Sequence, residues 1–513
     1  MRLLQQGNAS AAKALLEDAC RKAPHDAQAW HFLGVAHQAL GDPLQAERCL
    51  REAAARGSPS PFTYYNLGVV LYAKGDMRGA IECYRQALAI NPNSSEARNN
   101  LGGCLLAIKQ TGAAEREFRR AAEINPRSAE AHASLAAIHL LRANYREAIR
   151  CLRLSLELNA GNPKAHYNLS HALLATGEPE DSIASVRQAI ALRPDYARAH
   201  VGLASALLGS GRFAEGWREY EWNWTQKAQQ RPFPPSSPAD ALTGRSVFVH
   251  AEQGIGDELF FLRFVRELRR RGAITVVYRP TPKIHFLLSR VAAIDRLAGP
   301  EEGPEHESAV FSVGDLPVVV GMERTDQIPA PLAIPPVADE VARMRHRLAD
   351  FGPPPYVAVT WRAGTPNENA SLYKEVPIAE FARSLAGIDA RIIVVQRHPA
   401  AEEIQRFSGA LGRAVFDASA FNEDLEGMLA LLSVLDDYVG VSNTNMYLTA
   451  AAGKTARVLV PNPPEWRWMV SGSRSPWFPG FSVYRQAFDG GWGKALAALR
   501  SDLDRRLQSQ DRA

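Results

Sequence analysis

The 513-residue sequence predicts an α-helical repeat array followed by an α/β region with mostly parallel sheets. Three observations predict this class. A 34-residue period runs through roughly the first two hundred residues and then stops. A proline- and serine-rich segment follows it, and beyond that segment strand-like runs alternate with helix-like runs. We therefore expect two regions of different architecture in one chain.

The repeat is defined by residues that recur in phase. A leucine recurs at one position of the period, and the residue after it is small: Leu33-Gly34, Leu67-Gly68, Leu101-Gly102, Leu135-Ala136, Leu169-Ser170 and Leu203-Ala204. This period with helical apolar spacing is the signature of the tetratricopeptide helix pair, in which the small residue lets two helices approach closely. Because Gly7 and Pro24 match later units, the array is expected to begin in the middle of a unit and to comprise half a repeat plus six units.

Composition excludes several classes of partner. A net charge of +4 without a basic stripe gives no nucleic-acid footprint, so no nucleic-acid partner is expected. The N-terminus has no apolar signal core, and no run reaches the roughly 18 to 20 apolar residues of a spanning helix. We expect a cytoplasmic protein without an integral membrane segment. The five cysteines lie in the repeat region, where equivalent positions of stacked repeats are roughly 8 to 10 Å apart, too far for a disulfide. They also lack metal-ligand spacing, so neither a disulfide nor a metal site is expected.

The α/β region is expected to form two lobes. SVFVHAE and ITVVY are strand-like runs on either side of a helix-like run, and YVAVTW, RIIVVQ, DYVGVS and ARVLVP form a second set of strands. The predicted organisation is an array at 1–224, a linker at 225–245, an N-terminal lobe at 246–330, a hinge at 331–355, and a C-terminal lobe with a terminal helix at 356–513. Two such lobes leave a cleft at the carboxyl ends of their strands, where ligands bind.

Two loops in these lobes are candidates for binding an anion. In HAEQGIGDE, Gly254 and Gly256 form a turn that opens a helix, and Asp257 lies at the start of that helix. The alternative is that Asp257 only caps the helix. In WRAGTPNENASLYKEVP, Arg362 and Lys374 flank a polar loop that could hold a diphosphate by charge; the alternative is a solvated loop with two ordinary cations.

A third candidate stands at the start of a small-residue helix. Ser442, Asn443, Thr444 and Asn445 follow a strand directly, which is a phosphate-binding geometry without a Walker lysine. Helix capping by the same residues is an equally simple interpretation.

Two further patterns are interpreted as structural. We expect lobe packing rather than a stacking platform from the aromatic residues Trp466, Trp468, Trp477 and Phe478. Asp502 and Asp504 form a D-x-D on a terminal amphipathic helix, which is interpreted as a solvated face, so a metal-bound diphosphate is not expected.

Four strings together give a resemblance that covers essentially the whole chain. They are GWREYEWNW, HAEQGIGDELFFLRFVREL, DYVGVSNTNMYLTAAAG and PPEWRWMVSGSRSPWFPGFSVYRQ. The chain resembles bacterial proteins that couple tetratricopeptide repeats to a GT-B glycosyltransferase domain. The C-terminal part is similar to the heptosyltransferase-like family, and the overall arrangement is similar to the O-linked N-acetylglucosamine transferases. The resemblance implies a two-lobed, Rossmann-like GT-B domain after the repeats.

The resemblance also implies roles for residues. Asp257 corresponds to the base that deprotonates the acceptor hydroxyl, and Lys374 is the nearest match to the lysine that contacts the donor phosphates. The family's D-T-S-x-x-H-L stretch becomes Ser442 to Leu448, so its Asp and His are replaced. The implied reaction is a metal-independent, single-displacement transfer from a nucleotide sugar, with no further cofactor.

The repeats acquire a candidate role through the same resemblance. Asn66, Asn100 and Asn168 share one phase on the first helix of their units. In the O-linked N-acetylglucosamine transferases, asparagines at such positions contact an extended acceptor polypeptide, which implies a protein acceptor here. The alternative is three isolated polar surface residues.

Two other functions remain open from the sequence. The same enzyme could act on a lipid-linked or polysaccharide acceptor, with the array assembling a complex. The chain could instead be a non-catalytic scaffold with a degenerate GT-B domain. Asp257 and Lys374 favour an enzyme, whereas the replaced Asp and His near Thr444 favour the scaffold.

Overall fold

The structure is a computed structural model that describes residues 2–57, 60–222, 242–252, 254–306, 308–363 and 374–510. The chain divides into two compact units. Unit 1 comprises Met1–Leu173 and Ala191–Arg193, and unit 2 comprises Leu174–Ile190 and Pro194–Ala513. The division falls inside the repeat array, and the domain boundaries expected from the sequence stay predictions. Most of the expected linker, residues 225–241, lies outside the described residues.

The N-terminal region is helical throughout its described length. Its helices are α1 (Arg2–Gln5), α2 (Ala9–Lys22), α3 (Ala27–Ala39), α4 (Pro43–Arg56), α5 (Pro61–Ala73), α6 (Met77–Ile90), α7 (Ser95–Ala107), α8 (Thr111–Ile124), α9 (Ala129–Leu141), α10 (Tyr145–Leu158), α11 (Pro163–Ala175), α12 (Pro179–Leu192), α13 (Ala197–Gly209) and α14 (Phe213–Tyr220). From α3 onward they alternate as first and second helices of the six expected units, and α2 before them has the position of a second helix. The predicted helical solenoid is confirmed.

The turn between the two helices of a unit contains a residue in the left-handed region. Gly41 and Gly75 have φ values of 75° and 83°, which glycine adopts without steric cost. Lys109 and Ala143 take the same conformation in the next two units, with φ values of 63° and 56°. Asp42 and Asp76 then cap the second helix by accepting backbone N–H groups. The 34-residue phase therefore fixes both the turn and the start of the helix.

In the units that have a glycine at the small position, this residue faces a large side chain of the second helix. A Cβ added at Gly68 would lie 2.7 Å from the Tyr84 ring, and one added at Gly102 would lie 2.5 Å from the Phe118 ring. Tyr84 and Phe118 are fully buried in the core of unit 1. Glycine is therefore required where an aromatic ring occupies the space between the paired helices.

The α/β region begins with a four-stranded parallel sheet. Its elements are β1 (Ser246–His250), α15 (Ile255–Phe261), α16 (Val265–Arg270), β2 (Thr275–Arg279), α17 (His285–Leu288), β3 (Arg296–Leu297), β4 (Ala309–Ser312) and α18 (Leu316–Val319), followed by α19 (Ala338–Phe351). The strand order is β3-β2-β1-β4, and Val247 pairs with both Val276 and Ala309. β1 and β4 are buried along almost their whole length, as strands covered on both faces are.

A second parallel sheet has six strands. Its elements are β5 (Tyr356–Thr360), α20 (Ile378–Ser384), β6 (Arg391–Val394), α21 (Ala401–Leu411), β7 (Phe416–Asp417), α22 (Leu425–Val434), β8 (Asp437–Val441), α23 (Thr444–Ala451), β9 (Arg457–Val460), β10 (Ser482–Arg485) and α24 (Gly493–Gln510). The strand order is β10-β9-β8-β5-β6-β7. The C-terminal region is therefore a parallel-sheet α/β structure, as predicted.

One residue of the terminal helix differs from its expected setting. Asp502 was expected on a solvated face, but it accepts a hydrogen bond from the Tyr484 hydroxyl and lies 3.2 Å from the buried Arg457 guanidinium. Arg457 also pairs with the buried Asp437 of β8. The solvated-face interpretation of Asp502 is wrong, because the carboxylate completes a charge network that anchors α24 beside the second sheet.

Candidate functional site

A cleft of about 520 Å³ in unit 2 is lined by the loops that follow strands of both sheets. Its lining residues are Gly254, Ile255, Gly256, Asp257, Arg362, Ala363, Lys374, Val395, Arg397, Asn422, Ser442, Asn443, Thr444, Asn445, Tyr447, Glu465 and Arg467. The structure thus brings together Asp257 and all the residues expected to bind a donor. Parallel strands end at one edge of their sheet, which is why loops distant in sequence meet there.

The glycine turn after β1 lets α15 approach α23 closely. A Cβ on Gly256 would lie 3.0 Å from the Tyr447 ring of α23. Gly254 is the N-cap of α15, whereas Asp257 is the third residue of the helix. The interpretation of Asp257 as a simple helix cap is therefore wrong.

Asp257 forms an ion pair with Arg467, which lies on the segment after β9. The Arg467 guanidinium is buried and stacks over the rings of Phe260, at 4.5 Å, and Trp466, at 4.6 Å. Ring faces and a carboxylate together compensate the loss of water around a guanidinium. Arg467 therefore fixes the direction of the Asp257 carboxylate at the cleft.

A second ion pair joins Lys374 to Glu465. The other carboxylate oxygen of Glu465 accepts a hydrogen bond of 2.8 Å from the Ser442 hydroxyl. Burial raises the pKa of Glu465, but Lys374, Arg467 and Ser442 together hold the pKa below its usual range. Glu465 is therefore an ionised carboxylate at neutral pH, and it contacts two of the residues expected to bind a donor.

Arg362 lines the cleft, but it is largely buried and its guanidinium is paired within the protein. Its guanidinium donates to the Glu403 carboxylate at 2.8 and 3.1 Å and to the His398 carbonyl at 2.8 Å. These contacts satisfy its charge and tie the loop after β5 to the loop after β6 and to α21. Arg362 thus holds the shape of the cleft wall, and a direct contact of its guanidinium with a phosphate stays a prediction.

The loop between Arg362 and Lys374 is held at its base. Arg362 and Glu375 form an antiparallel bridge, and the Ala363 N–H donates to the Lys374 carbonyl at 3.0 Å. Residues 364–373 of this expected loop lie outside the described residues. The backbone of Lys374 is therefore anchored beside the end of β5.

Two amide side chains at the start of α23 have structural partners. Asn443 caps the helix by accepting the Asn445 N–H at 2.9 Å, and its amide donates to the Thr360 hydroxyl at 2.9 Å. Asn445 is buried and donates to the Val395 carbonyl at 3.1 Å. The capping interpretation is confirmed for Asn443, and both residues lock the turn after β8 against β5 and β6.

The expected packing role of the aromatic residues is confirmed. Trp466, Trp468, Trp477 and Phe478 are all buried. Trp217 of α14 lies among them, with ring centroids 5.3 Å from Trp466 and 6.0 Å from Trp477. Phe260 of α15 also contacts Trp466 and Trp477. This aromatic cluster therefore joins the last repeat helix to the helix that carries Asp257.

Three charged residues of the cleft were not predicted from the sequence. Glu465 and Arg467 lie inside the tryptophan-rich string, which was interpreted only as packing, and Arg397 follows β6 as an exposed cation. The sequence did contain a signal for Glu465 and Arg467, because two opposite charges stand among tryptophans there. Charges are rarely buried without a partner, so such residues are candidates for ion pairs.

The three asparagines of the repeats lie half-buried on α5, α7 and α11. The Asn100 amide donates to the Tyr65 hydroxyl at 3.2 Å. The three asparagines belong to a set of half-buried residues on the first helices of five units, none of which is Asp, Glu, Lys or Arg. We call this set the uncharged strip. It consists of His31, Phe32, Val35, Tyr65, Asn66, Val69, Asn99, Asn100, Gly103, Ala133, Ser134, Ala137, Tyr167, Asn168 and His171.

Family models support the identity of the repeats. Three models described as tetratricopeptide repeat match residues 25–93, 71–138 and 167–220. The N-terminal region consists of tetratricopeptide repeats. Stacked repeats of this kind present extended surfaces that bind partners.

A curated relative of the chain is Protein FlbA of Caulobacter vibrioides, with 24% identity over 320 residues. The alignment covers 56% of this chain and 53% of FlbA, so the chain spans about half the length of that relative.

Solved structures with similarity to the chain include repeat proteins. The Cut9–Hcn1 hetero-tetramer of the APC/C has 14% identity and a TM-score of 0.40, covering 44% of each chain. YrrB, described as a tetratricopeptide repeat protein with an unusual peptide-binding site, has 21% identity and a TM-score of 0.31, covering 36% of this chain and 95% of YrrB. A thermophilic tetratricopeptide repeat protein of Thermus thermophilus has 23% identity and a TM-score of 0.31, covering 36% of this chain and 99% of its own.

The described residues contain neither a spanning helix nor a metal-ligand cluster. No described helix has both the length and the apolar character needed to cross a bilayer. Within the same residues, no three His, Cys, Asp or Glu side chains are grouped as ligands for a metal ion.

Proposed function

We propose that the protein is a GT-B glycosyltransferase that transfers a sugar from a nucleotide sugar to a hydroxyl of a protein bound by the repeats. The observation that carries this proposal is the meeting of Asp257, Lys374 and the start of α23 in one cleft. A carboxylate on one side and a cation with a helix N-terminus on the other suit an acceptor hydroxyl and a diphosphate, respectively. The resemblance of the four sequence strings to GT-B enzymes supports the same assignment.

The proposed reaction is a single displacement at the anomeric carbon. The acceptor oxygen forms the new C–O bond while its proton passes to the Asp257 carboxylate. The bond from the anomeric carbon to the donor phosphate breaks, and the electron pair leaves with the nucleoside diphosphate. Lys374 and the backbone N–H groups at the start of α23 stabilise the negative charge of this leaving group. The donor is a co-substrate, and the step requires no metal from the protein.

The catalytic proposal is tested by a donor screen with the wild type and Asp257→Asn. Binding of nucleotide sugars is measured by calorimetry, and transfer is measured by mass spectrometry of the acceptor. We expect donor binding to persist in Asp257→Asn while kcat falls by roughly 10²- to 10⁴-fold, because the general base is lost. Asp326→Asn is the control, since Asp326 is an exposed partner of Arg324 remote in sequence from the cleft residues. Wild-type transfer by Asp257→Asn would reject Asp257 as the base, and absence of binding for every nucleotide sugar would reject the enzyme.

A protein acceptor is proposed because of the uncharged strip. Amide side chains along it can pair with the backbone of an extended polypeptide, while its aromatic and small residues leave room for varied side chains. With a polypeptide acceptor, Asn66→Ala combined with Asn100→Ala should raise the acceptor KM about tenfold through two lost hydrogen bonds. Donor hydrolysis should be unchanged. Asn93→Ala, in the turn between α6 and α7, is the control. An unchanged KM in the double variant would favour a lipid-linked or polysaccharide acceptor.

A non-catalytic scaffold is the second candidate. The pairing of Lys374 with Glu465 and of Asp257 with Arg467 favours it, because both groups already have partners of opposite charge. The donor screen separates the two candidates: a scaffold would bind no nucleotide sugar.

A further inference from the structure

Glu465 occupies the part of the cleft that the proposed function assigns to the donor phosphates. Its side chain keeps only 13% of its exposure, and its carboxylate is held between the Lys374 ammonium and the Ser442 hydroxyl. An anion that has lost most of its water depends on such partners. The carboxylate therefore sits on two groups that a phosphate would also use.

The charge of Lys374 is thus neutralised by the protein itself. A phosphate oxygen and a carboxylate oxygen compete for the same ammonium donors, since both are anionic acceptors. A diphosphate that takes the donors held by Glu465 has to displace its carboxylate from Lys374. When the diphosphate leaves, the carboxylate can return, so the ammonium has a partner in both situations. This exchange lowers the affinity for the diphosphate and facilitates its departure.

We propose that Glu465 is an internal competitor for the nucleoside diphosphate, and that its return to Lys374 promotes release of this product after sugar transfer. The inference rests on the proposed function and adds a residue to its cycle. A pure anchor for Lys374 would have the opposite effect, because loss of the anchor would weaken diphosphate binding. The sign of the change in affinity therefore decides between the two roles.

The test measures binding of ADP, GDP, UDP and CDP to the full chain by calorimetry and continues with the tightest ligand. We expect Glu465→Gln to lower its Kd by about tenfold or more, because removal of a close charge that competes for Lys374 changes affinity on this scale. Glu465→Asp, whose shorter side chain withdraws the carboxylate from Lys374, should lower the Kd by a smaller factor. It also serves as the test if Glu465→Gln does not fold.

Two controls separate competition from a general change in charge. Glu402→Gln removes an exposed acidic residue of α21, and it should leave the Kd within about twofold, because a solvated charge is screened. In a Lys374→Met background, Glu465→Gln should no longer tighten binding, because the contested ammonium is gone. Equal tightening in that background would show repulsion through space and overturn the proposal.

Turnover provides a separate readout. In Glu465→Gln, the constant for inhibition by the nucleoside diphosphate product should fall together with the Kd for this product. If product release limits the rate, kcat should fall as well. Weaker or unchanged diphosphate binding by both Glu465 variants would overturn the inference while leaving the transferase proposal in place. Absence of nucleotide binding in the wild type and in both variants would reject the transferase proposal and the inference together.

Discussion

At the residue scale, the candidate cleft is a place where opposite charges are paired. Asp257 pairs with Arg467, Lys374 with Glu465, and the buried Arg362 of the cleft wall with Glu403. Removing one partner of a buried ion pair leaves the other charge uncompensated. The free-energy cost of this unpaired charge is larger than the net stabilisation that the intact pair provides. Asp257→Asn and Glu465→Gln also remove a charge, but they keep the side-chain volume and a hydrogen-bond acceptor beside the partner, so they test function better than truncations do.

A single histidine gives a prediction for the dependence of stability on pH. The His171 ring packs against Tyr145 of α10 with centroids 6.1 Å apart, and burial lowers its pKa below 6.5. The folded state therefore binds the proton less readily than the unfolded chain does. The stability present above about pH 6.5 is lost as the pH falls below that value, because the unfolded state is protonated first.

We expect His171→Gln to flatten this loss between about pH 6.5 and pH 5, since the titrating group is removed. The measurement is urea unfolding of the full chain at several pH values between about 6.5 and 5, monitored by circular dichroism in the far-ultraviolet helix band. His25→Gln is the control, because His25 is exposed. An equally steep loss of stability in His171→Gln would contradict the assignment.

At the element scale, the spacing between the two helices of a repeat depends on a pair of residue sizes. Gly102 lies against Phe118, whereas the next unit has Ala136 and Leu152 at the same positions, both fully buried. Between these two units, the larger residue on the first helix goes with the smaller one on the second. The pair, rather than either residue, sets how closely the helices approach.

Gly102→Ala should destabilise the protein by about 1–3 kcal/mol relative to Gly103→Ala, because its Cβ would overlap the Phe118 ring. Gly103 is the matched control, since an added Cβ there meets nothing within 4 Å. Adding Phe118→Leu to Gly102→Ala should recover most of the loss, as in the Ala136 and Leu152 pair. Denaturant unfolding of the wild type, Gly102→Ala, Phe118→Leu and the double variant gives the coupling energy, and independent, additive effects would refute size matching.

At the scale of the whole molecule, the boundary between the two compact units falls inside the repeat array. The last helix pair, α13 and α14, belongs to the same compact unit as both sheets. Trp217 is 2% exposed, and its indole N–H donates to the Met322 sulfur while its ring packs against Trp466. Since Arg467 stacks on Trp466 and pairs with Asp257, the last repeat supports the cleft through direct packing.

Trp217→Ala should destabilise unit 2 by about 3–5 kcal/mol, the cost of a large cavity in a buried aromatic cluster. In native-state hydrogen exchange, amides of α13, α14 and α15 should lose protection together, whereas those of α5 to α8 should not. Trp30→Ala, a tryptophan in unit 1, is the control and should leave α15 protection unchanged. Loss of protection confined to α14 would show that the last repeat is independent of the sheets.

Local patterns were sufficient to predict the repeats and most of the strands. The 34-residue phase located the turns at Gly41 and Gly75, because backbone conformation and close packing impose strict requirements on single positions. The same logic located the loops after β1, β5 and β8, since strand ends can be found from hydrophobic runs. Local patterns could not decide whether Asn443 contacts a phosphate or caps the helix, because both roles require the same residue type at the same helix position.

The sequence by itself determined the tetratricopeptide repeats, the parallel α/β character of the C-terminal region and the loops in which candidate site residues lie. Periodicity and strand ends are properties of neighbouring residues, so they can be found without coordinates. Only the tertiary structure decided which charges pair in the cleft. Glu465 meets Lys374 and Arg467 meets Asp257 across long stretches of chain, and such partners are selected by packing and by the cost of burying an unpaired charge.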